Sequence, residues 1–139
     1  MNAAKVINLI VIILLVAFIW GNSCLGREES AKESGYVYEH IVKPVQEAIF
    51  KKEILSHEAL RKCAHAFEFM CLGIAVMLFF RKYWLSWGLC ILVAAADETI
   101  QIFTGRGSAV RDVMIDSAGA LFGVLAVYIC IRLTKKNAS

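Results

Sequence analysis

The chain has 139 residues, enough for one domain and little more. Apolar residues make up 59% and the mean hydropathy is +0.63, well above the usual range for a soluble domain. The net charge of +3 is small and its positive residues are scattered among apolar runs, which argues against a nucleic-acid surface.

One proline and long uninterrupted apolar runs point to helices rather than barrel strands. Four membrane helices are predicted, at 4–20, 63–80 with a start near Arg61, 84–103 and about 113–133, each close to the ~20 residues that span a bilayer. The first has the charged start and apolar core of a secretory signal, but no A-x-A site follows it, and an uncleaved anchor is expected.

Residues 21–60 form the one long polar segment, in which Arg27, Lys32, Lys43, Lys51 and Lys52 face seven glutamates. Within it, apolar residues recur at 37, 41, 45 and 49. That helical spacing predicts an amphipathic helix, at the membrane interface or packed on the bundle, with Pro44 kinking it or starting its second half. The expected fold class is therefore all-α: an integral membrane four-helix bundle with an extracytoplasmic amphipathic segment between the first two membrane helices. Its parts are an anchor helix (1–20), the polar segment (21–60), a three-helix core (61–133) and a basic tail (134–139).

Lys5, the Arg81–Lys82 pair, and Arg132, Lys135 and Lys136 all fall on one side of a four-span topology. Positive residues favour the cytoplasmic side, so a multi-pass protein with both termini cytoplasmic is predicted. Arg106 and Arg111 oppose this but are outnumbered. The five cysteines make no disulfide framework and show no zinc spacing. Cys24 and Cys63 flank the polar segment, and their pairing is left open by spacing alone.

Three helices carry polar residues to the same outer half of this topology. The second brings Arg61, Lys62, His65 and Glu68, with 61, 65 and 68 on one face. The third ends with Asp97, Glu98 and Gln101, and the fourth begins with Arg111, Asp112 and Asp116. A carboxylate at the membrane centre costs about 2.5–3.5 kcal/mol, so these groups must face each other, water or a ligand.

The runs 61-RKCAHAFEF-69, 97-DETIQIFTGR-106 and 111-RDVMIDSAGALFG-123 resemble the VanZ-like membrane proteins. That pattern is matched at Lys62, His65, Glu68, Asp97, Glu98, Gln101, Phe103, Arg106, Asp112, Asp116 and Gly119. Phe69 replaces the usual Tyr, and Asp116 sits where many relatives have Asn. The resemblance covers residues 60–130. It implies a cell-envelope role in a bacterium, since the family takes its name from a membrane protein associated with resistance to teicoplanin, a glycopeptide antibiotic.

Each polar residue carries alternatives. His65, tuned by Glu68 or Asp97, suits acid–base chemistry or a hydrogen-bonded lock between helices, and with Asp97, Glu98 and Asp112 it offers one nitrogen and several oxygens for a metal. Asp97 and Glu98 point about 100° apart, so one is expected to meet Arg106 or Lys62 and the other His65. In 104-TGRGSAVRD-112, Arg106 and Arg111 offer guanidiniums to a phosphate or carboxylate, or to neighbouring acids, and Gly105 and Gly107 allow a tight turn. Gly119 and Gly123 make a close-packing pair.

No nucleotide loop or nucleophile motif is present, and no cofactor or metal is called for. The leading expectation is an envelope protein of the bacterial cytoplasmic membrane that binds a polar or anionic ligand through Lys62, Gln101, Arg106, Arg111, Asp112 and Asp116. The ligand would be a lipid phosphate or a wall-precursor headgroup. Catalysis by His65, Glu68, Asp97 and Glu98 on a lipid-linked headgroup is one alternative. A structural subunit with an unknown protein partner is the other.

Overall fold

The computed structural model describes residues 2–24, 32, 35–50, 55–105 and 110–137. Among these residues five α-helices follow in chain order: α1 (Ala3–Cys24), α2 (Lys43–Phe50), α3 (His57–Phe80), α4 (Tyr83–Phe103) and α5 (Val110–Asn137). All but α2 are long and apolar enough to cross a membrane. The protein is an all-α, multi-pass membrane bundle, and the described residues contain no strand. Side chains such as Ile7, Leu14, Phe18, Leu92 and Phe122 remain exposed on the single chain, as lipid-facing positions do.

The helix ends have local causes. α3 begins earlier than its apolar run because the Ser56 hydroxyl accepts from the Ala59 N–H at 3.2 Å, capping the helix. It ends where Arg81 turns left-handed (φ 56°) and donates its N–H to the Met77 carbonyl at 3.0 Å. Lys82 then leads directly into α4. Gly105, at φ 71°, turns the chain out of α4, as its sequence position predicts.

The amphipathic stretch is helical, and Pro44 falls where its second half begins. Tyr38–Val42 is a π-helical turn closed by the Lys43 N–H donating to the Tyr38 carbonyl, five residues back. That widened turn sits just ahead of Pro44, whose ring and missing N–H disfavour an ordinary α-turn there. Val37, Ile41, Val45 and Ile49 form an exposed apolar stripe. Its expected continuation through 51–54 lies outside the described residues.

α3 packs most extensively on α5, then α5 on α4, with α1 against α3 and α4. The α3–α5 contact is backbone on backbone. A Cβ at Gly119 would strike the Ala66 carbonyl, one at Gly123 the Met70 carbonyl, and one at Gly73 the Ala120 carbonyl. The two glycines read as a packing pair on α5 are thus joined in the seam by a third, Gly73 on α3, which faces Ala120. Below this seam Phe69, Leu72, Val76, Cys90, Ala94, Ala120 and Ile19 form the core. Phe69 is fully buried, so the missing tyrosine hydroxyl leaves no polar group to satisfy. Cys24 and Cys63 are both exposed free thiols.

Because carbonyls rather than flexible side chains oppose these glycines, Gly119→Val is expected to force α3 and α5 apart. A loss of about 1–3 kcal/mol or more is predicted, typical of overpacking. Thermal unfolding in detergent checks this, with the half-buried Gly88→Ala, where an added Cβ meets nothing within 4 Å, as the control that stays near wild type.

Candidate functional site

Helix direction brings four chain ends together. The C-terminal ends of α1 and α4 and the N-terminal ends of α3 and α5 share one end of the bundle. There the polar residues converge. α3 contributes Arg61, Lys62 and His65, α4 contributes Glu98 and Gln101, and α5 contributes Asp112 and Asp116, with Ile115, to the wall of one small cavity. Its volume of about 20 Å³ has room for about one water molecule.

Lys62 is held by two acids. Its Nζ lies 3.0 Å from Asp112 Oδ1 and 3.5 Å from Glu58 Oε1. The partner of Lys62 is therefore on α5, not the Asp97–Glu98 pair expected from α4. His65 Nδ1 stands 3.6 Å from Glu68 Oε2, one turn along the same helix. Glu68 also accepts from Asn22 Nδ2 of α1 at 3.4 Å.

Asp97 and Glu98 diverge, as adjacent helical positions must. Asp97, fully buried, faces α1 and accepts from Gln101 Nε2 at 2.8 Å. The same Gln101 nitrogen lies 3.3 Å from Ser23 Oγ, also fully buried. Thr104 ties the next turn by donating to the Ser23 carbonyl at 3.1 Å. Glu98, 5% exposed, faces the cavity instead.

Asp116 is the most exceptional group. It is 3% exposed and lines the cavity, yet it makes no hydrogen bond or ion pair with any described residue. The charged groups that act on it are the carboxyls of Asp97, Glu98, Asp112 and Glu68. A buried carboxyl in that company needs a donor. Arg61, on the cavity wall, likewise has no ion pair among the described residues.

Of the predicted site residues, Lys62, His65, Glu98, Gln101, Asp112 and Asp116 line the cavity, and Glu68 and Asp97 back it. Arg111 is exposed and does not line it. Arg106 lies outside the described residues. No group of three or more His, Cys, Asp or Glu is arranged to hold a metal among the described residues. Asn22 and Ser23 on α1 are additions that the spacing of the other three helices does not reveal. Their signal is the polar run 21-GNSC-24, which continues α1 instead of ending it.

The sequence profile of the VanZ/LLP1 family matches residues 8–131. The chain belongs to this family, and the match extends beyond the three helices that carry the motifs to take in α1 and the polar segment. No curated protein and no solved structure gives a significant match.

Gln101 bonds Asp97 on its own helix and Ser23 on α1, so Gln101→Leu leaves both without their shared donor. A loss of about 1–3 kcal/mol is expected. Thermal unfolding of the purified variant measures it, and an unchanged midpoint would show that water replaces the amide.

Proposed function

We propose that this VanZ/LLP1 family member binds a polar ligand of the bacterial cell envelope at the mouth of the α3–α4–α5 cavity. The observation that carries this reading is Asp116, a buried acid that has no partner among the described residues and faces a water-sized hole. Such a hole admits one hydroxyl or ammonium group, either of which supplies the missing donor. Larger parts of the ligand stay at the mouth, because whole small-molecule sites are usually about 300–1,000 Å³. Arg61 offers charge to a phosphate or carboxylate there, and Arg111 lies in the first turn of α5, next to Asp112. Lys62, Gln101 and Asp112 shape the wall.

The cavity is assigned to the outer face of the cytoplasmic membrane, with both termini inside. In support, Lys5, Arg81, Lys82, Arg132, Lys135 and Lys136 gather at the opposite end of the bundle, the pattern of cytoplasmic ends. The exposed stripe of Val37, Ile41, Val45 and Ile49 then suits the outer membrane interface. Lower teicoplanin susceptibility is the physiological reading that family membership supports.

A second reading is acid–base chemistry, favoured by the position of His65 and Glu98 around a water-sized space. A water held there would be within reach of a base, with Glu68 orienting the imidazole.

The test is mass spectrometry of molecules that co-purify with the protein in native lipid discs. Arg61→Ala and Asp116→Ala are expected to lose one envelope species at least tenfold, while Asp116→Asn, which keeps an acceptor oxygen, retains it. Accumulation of that species in His65→Ala would favour chemistry at the histidine. The same molecules in every sample, with all variants folded, would make the cluster a structural lock and overturn the binding reading. In parallel, cells expressing wild type are expected to tolerate more teicoplanin than cells expressing Asp116→Ala at equal protein levels.

A further inference from the structure

A second cavity lies beside the polar one and differs from it in every physical respect. It occupies about 340 Å³ between α1, α3 and α4, within the size range of small-molecule sites. Ile12, Val16 and Trp20 form one wall, Leu72 and Val76 the floor, and the Leu89–Ala96 stretch of α4 the other wall. From Ile12 to Trp20 the groove runs about 12 Å along α1. Leu92 on its rim is 66% exposed, so the groove opens towards the lipid.

Two features distinguish it from an ordinary crevice between helices. The Trp20 indole N–H is buried and has no hydrogen-bond acceptor among the described residues, although Trp20 lines the groove. That is a donor suited to an ester carbonyl or phosphate oxygen. The second feature is the position of the groove's end. Trp20 and Ala96 lie within one turn of Ser23 and Asp97, the two groups bridged by Gln101. Gln101 also lines the polar cavity. The groove thus ends within one turn of the Ser23–Gln101–Asp97 bridge, whose Gln101 faces the polar cavity.

We propose that the ligand is an amphiphile with a single apolar tail, which lies in the α1–α3–α4 groove while its headgroup occupies the mouth of the polar cavity. This rests on the reading of the polar cavity as a ligand site. The headgroup combines a phosphate, matched by Arg61, with hydroxyls that donate to Asp116 and Glu98. A second copy of the chain does not fit the slot, because a helix with its side chains is about 10–12 Å across. An ordinary bilayer lipid fits the groove but gives no reason for its junction with the carboxylates.

The experiment uses the full chain in phosphatidylcholine discs and a lysophosphatidylglycerol probe with a diazirine in mid-tail. After illumination, labelled peptides are mapped by mass spectrometry. Labelling is expected on α1 near Val16 and Trp20 and on α4 near Val93. Val93→Trp and Ala96→Leu, which fill the groove at two points, should each cut it at least tenfold. Arg61→Ala should cut it at least fivefold by releasing the headgroup. Label spread evenly over lipid-facing positions such as Leu14 and Phe122, and unchanged by either groove variant, overturns the proposal. Labelling that both groove variants abolish but Arg61→Ala leaves intact also overturns it, since tail and headgroup sites are then unconnected.

Binding of glycerophosphoglycerol, the same headgroup without a tail, separates this failure from failure of the polar-site reading. If it binds in an Arg61-dependent manner while the groove variants change nothing, the polar site stands and the tail assignment falls. If the tailless headgroup fails to bind and Arg61→Ala leaves labelling unchanged, both fall.

Discussion

The backbones of α3 and α5 touch at Gly73, Gly119 and Gly123, and the polar site depends on that approach. Lipid tails give little hydrophobic reason for two apolar helices to associate, so close packing between small residues has to supply it. Once the seam is set, the register of the next turns is fixed. Asp116 lies one turn before Gly119, and Asp112 one turn before that. Lys62 lies one turn before Ala66, the residue Gly119 meets. The 3.0 Å Lys62–Asp112 pair is the first charged contact beyond the seam. Packing places the charges, and the charges add register to packing.

The balance of those charges limits what the site can do. The cavity wall carries Glu98, Asp112 and Asp116 against Arg61 and Lys62, with Glu68 and Asp97 close behind. Lys62 is committed to Asp112 and Glu58. A purely anionic ligand would therefore meet more carboxyls than cations. The proposed ligand is accordingly one rich in hydrogen-bond donors, with any phosphate on the Arg61 side. A buried ionic cluster is also weak evidence for stability, because desolvation offsets much of the Coulomb attraction. Asp116 has no hydrogen bond or ion pair among the described residues to offset its burial, and the proposed ligand reading rests on that.

Much of this was legible in the sequence because it depends on spacing along one helix. The Asp97–Gln101 hydrogen bond is an i, i+4 pair, and the divergence of Asp97 from Glu98 follows from 100° per residue. Relations between helices were not legible. That Lys62 meets Asp112 rather than the α4 acids depends on how α3 and α5 rotate about their seam, which no single-helix pattern records. Arg111 shows the same limit from the other side. It adjoins Asp112 in sequence but points away from the cavity into exposed space. Helix ends are not legible where polar residues continue a helix beyond its apolar run, at His57–Leu60 in α3 and Gly21–Cys24 in α1.

That last extension changes the meaning of α1. As an apolar run ending at Trp20 it is an anchor, but as a helix reaching Cys24 it is a wall of the site. Polar contacts hold it near both ends. Asn8 Nδ2 donates to the Ala75 carbonyl at 3.0 Å, and Asn22 and Ser23 join the Glu68 and Gln101 network. Between these ties lies the stretch from Ile12 to Trp20, which combines apolar packing in the core with one wall of the open groove. Apolar contacts are non-directional, so this stretch can shift without breaking a side-chain hydrogen bond to a neighbouring helix. The directional hydrogen bonds at its ends resist such movement. α1 is thus fixed where the polar chemistry sits and adaptable where a hydrocarbon chain would lie, a division that a simple anchor helix would not need.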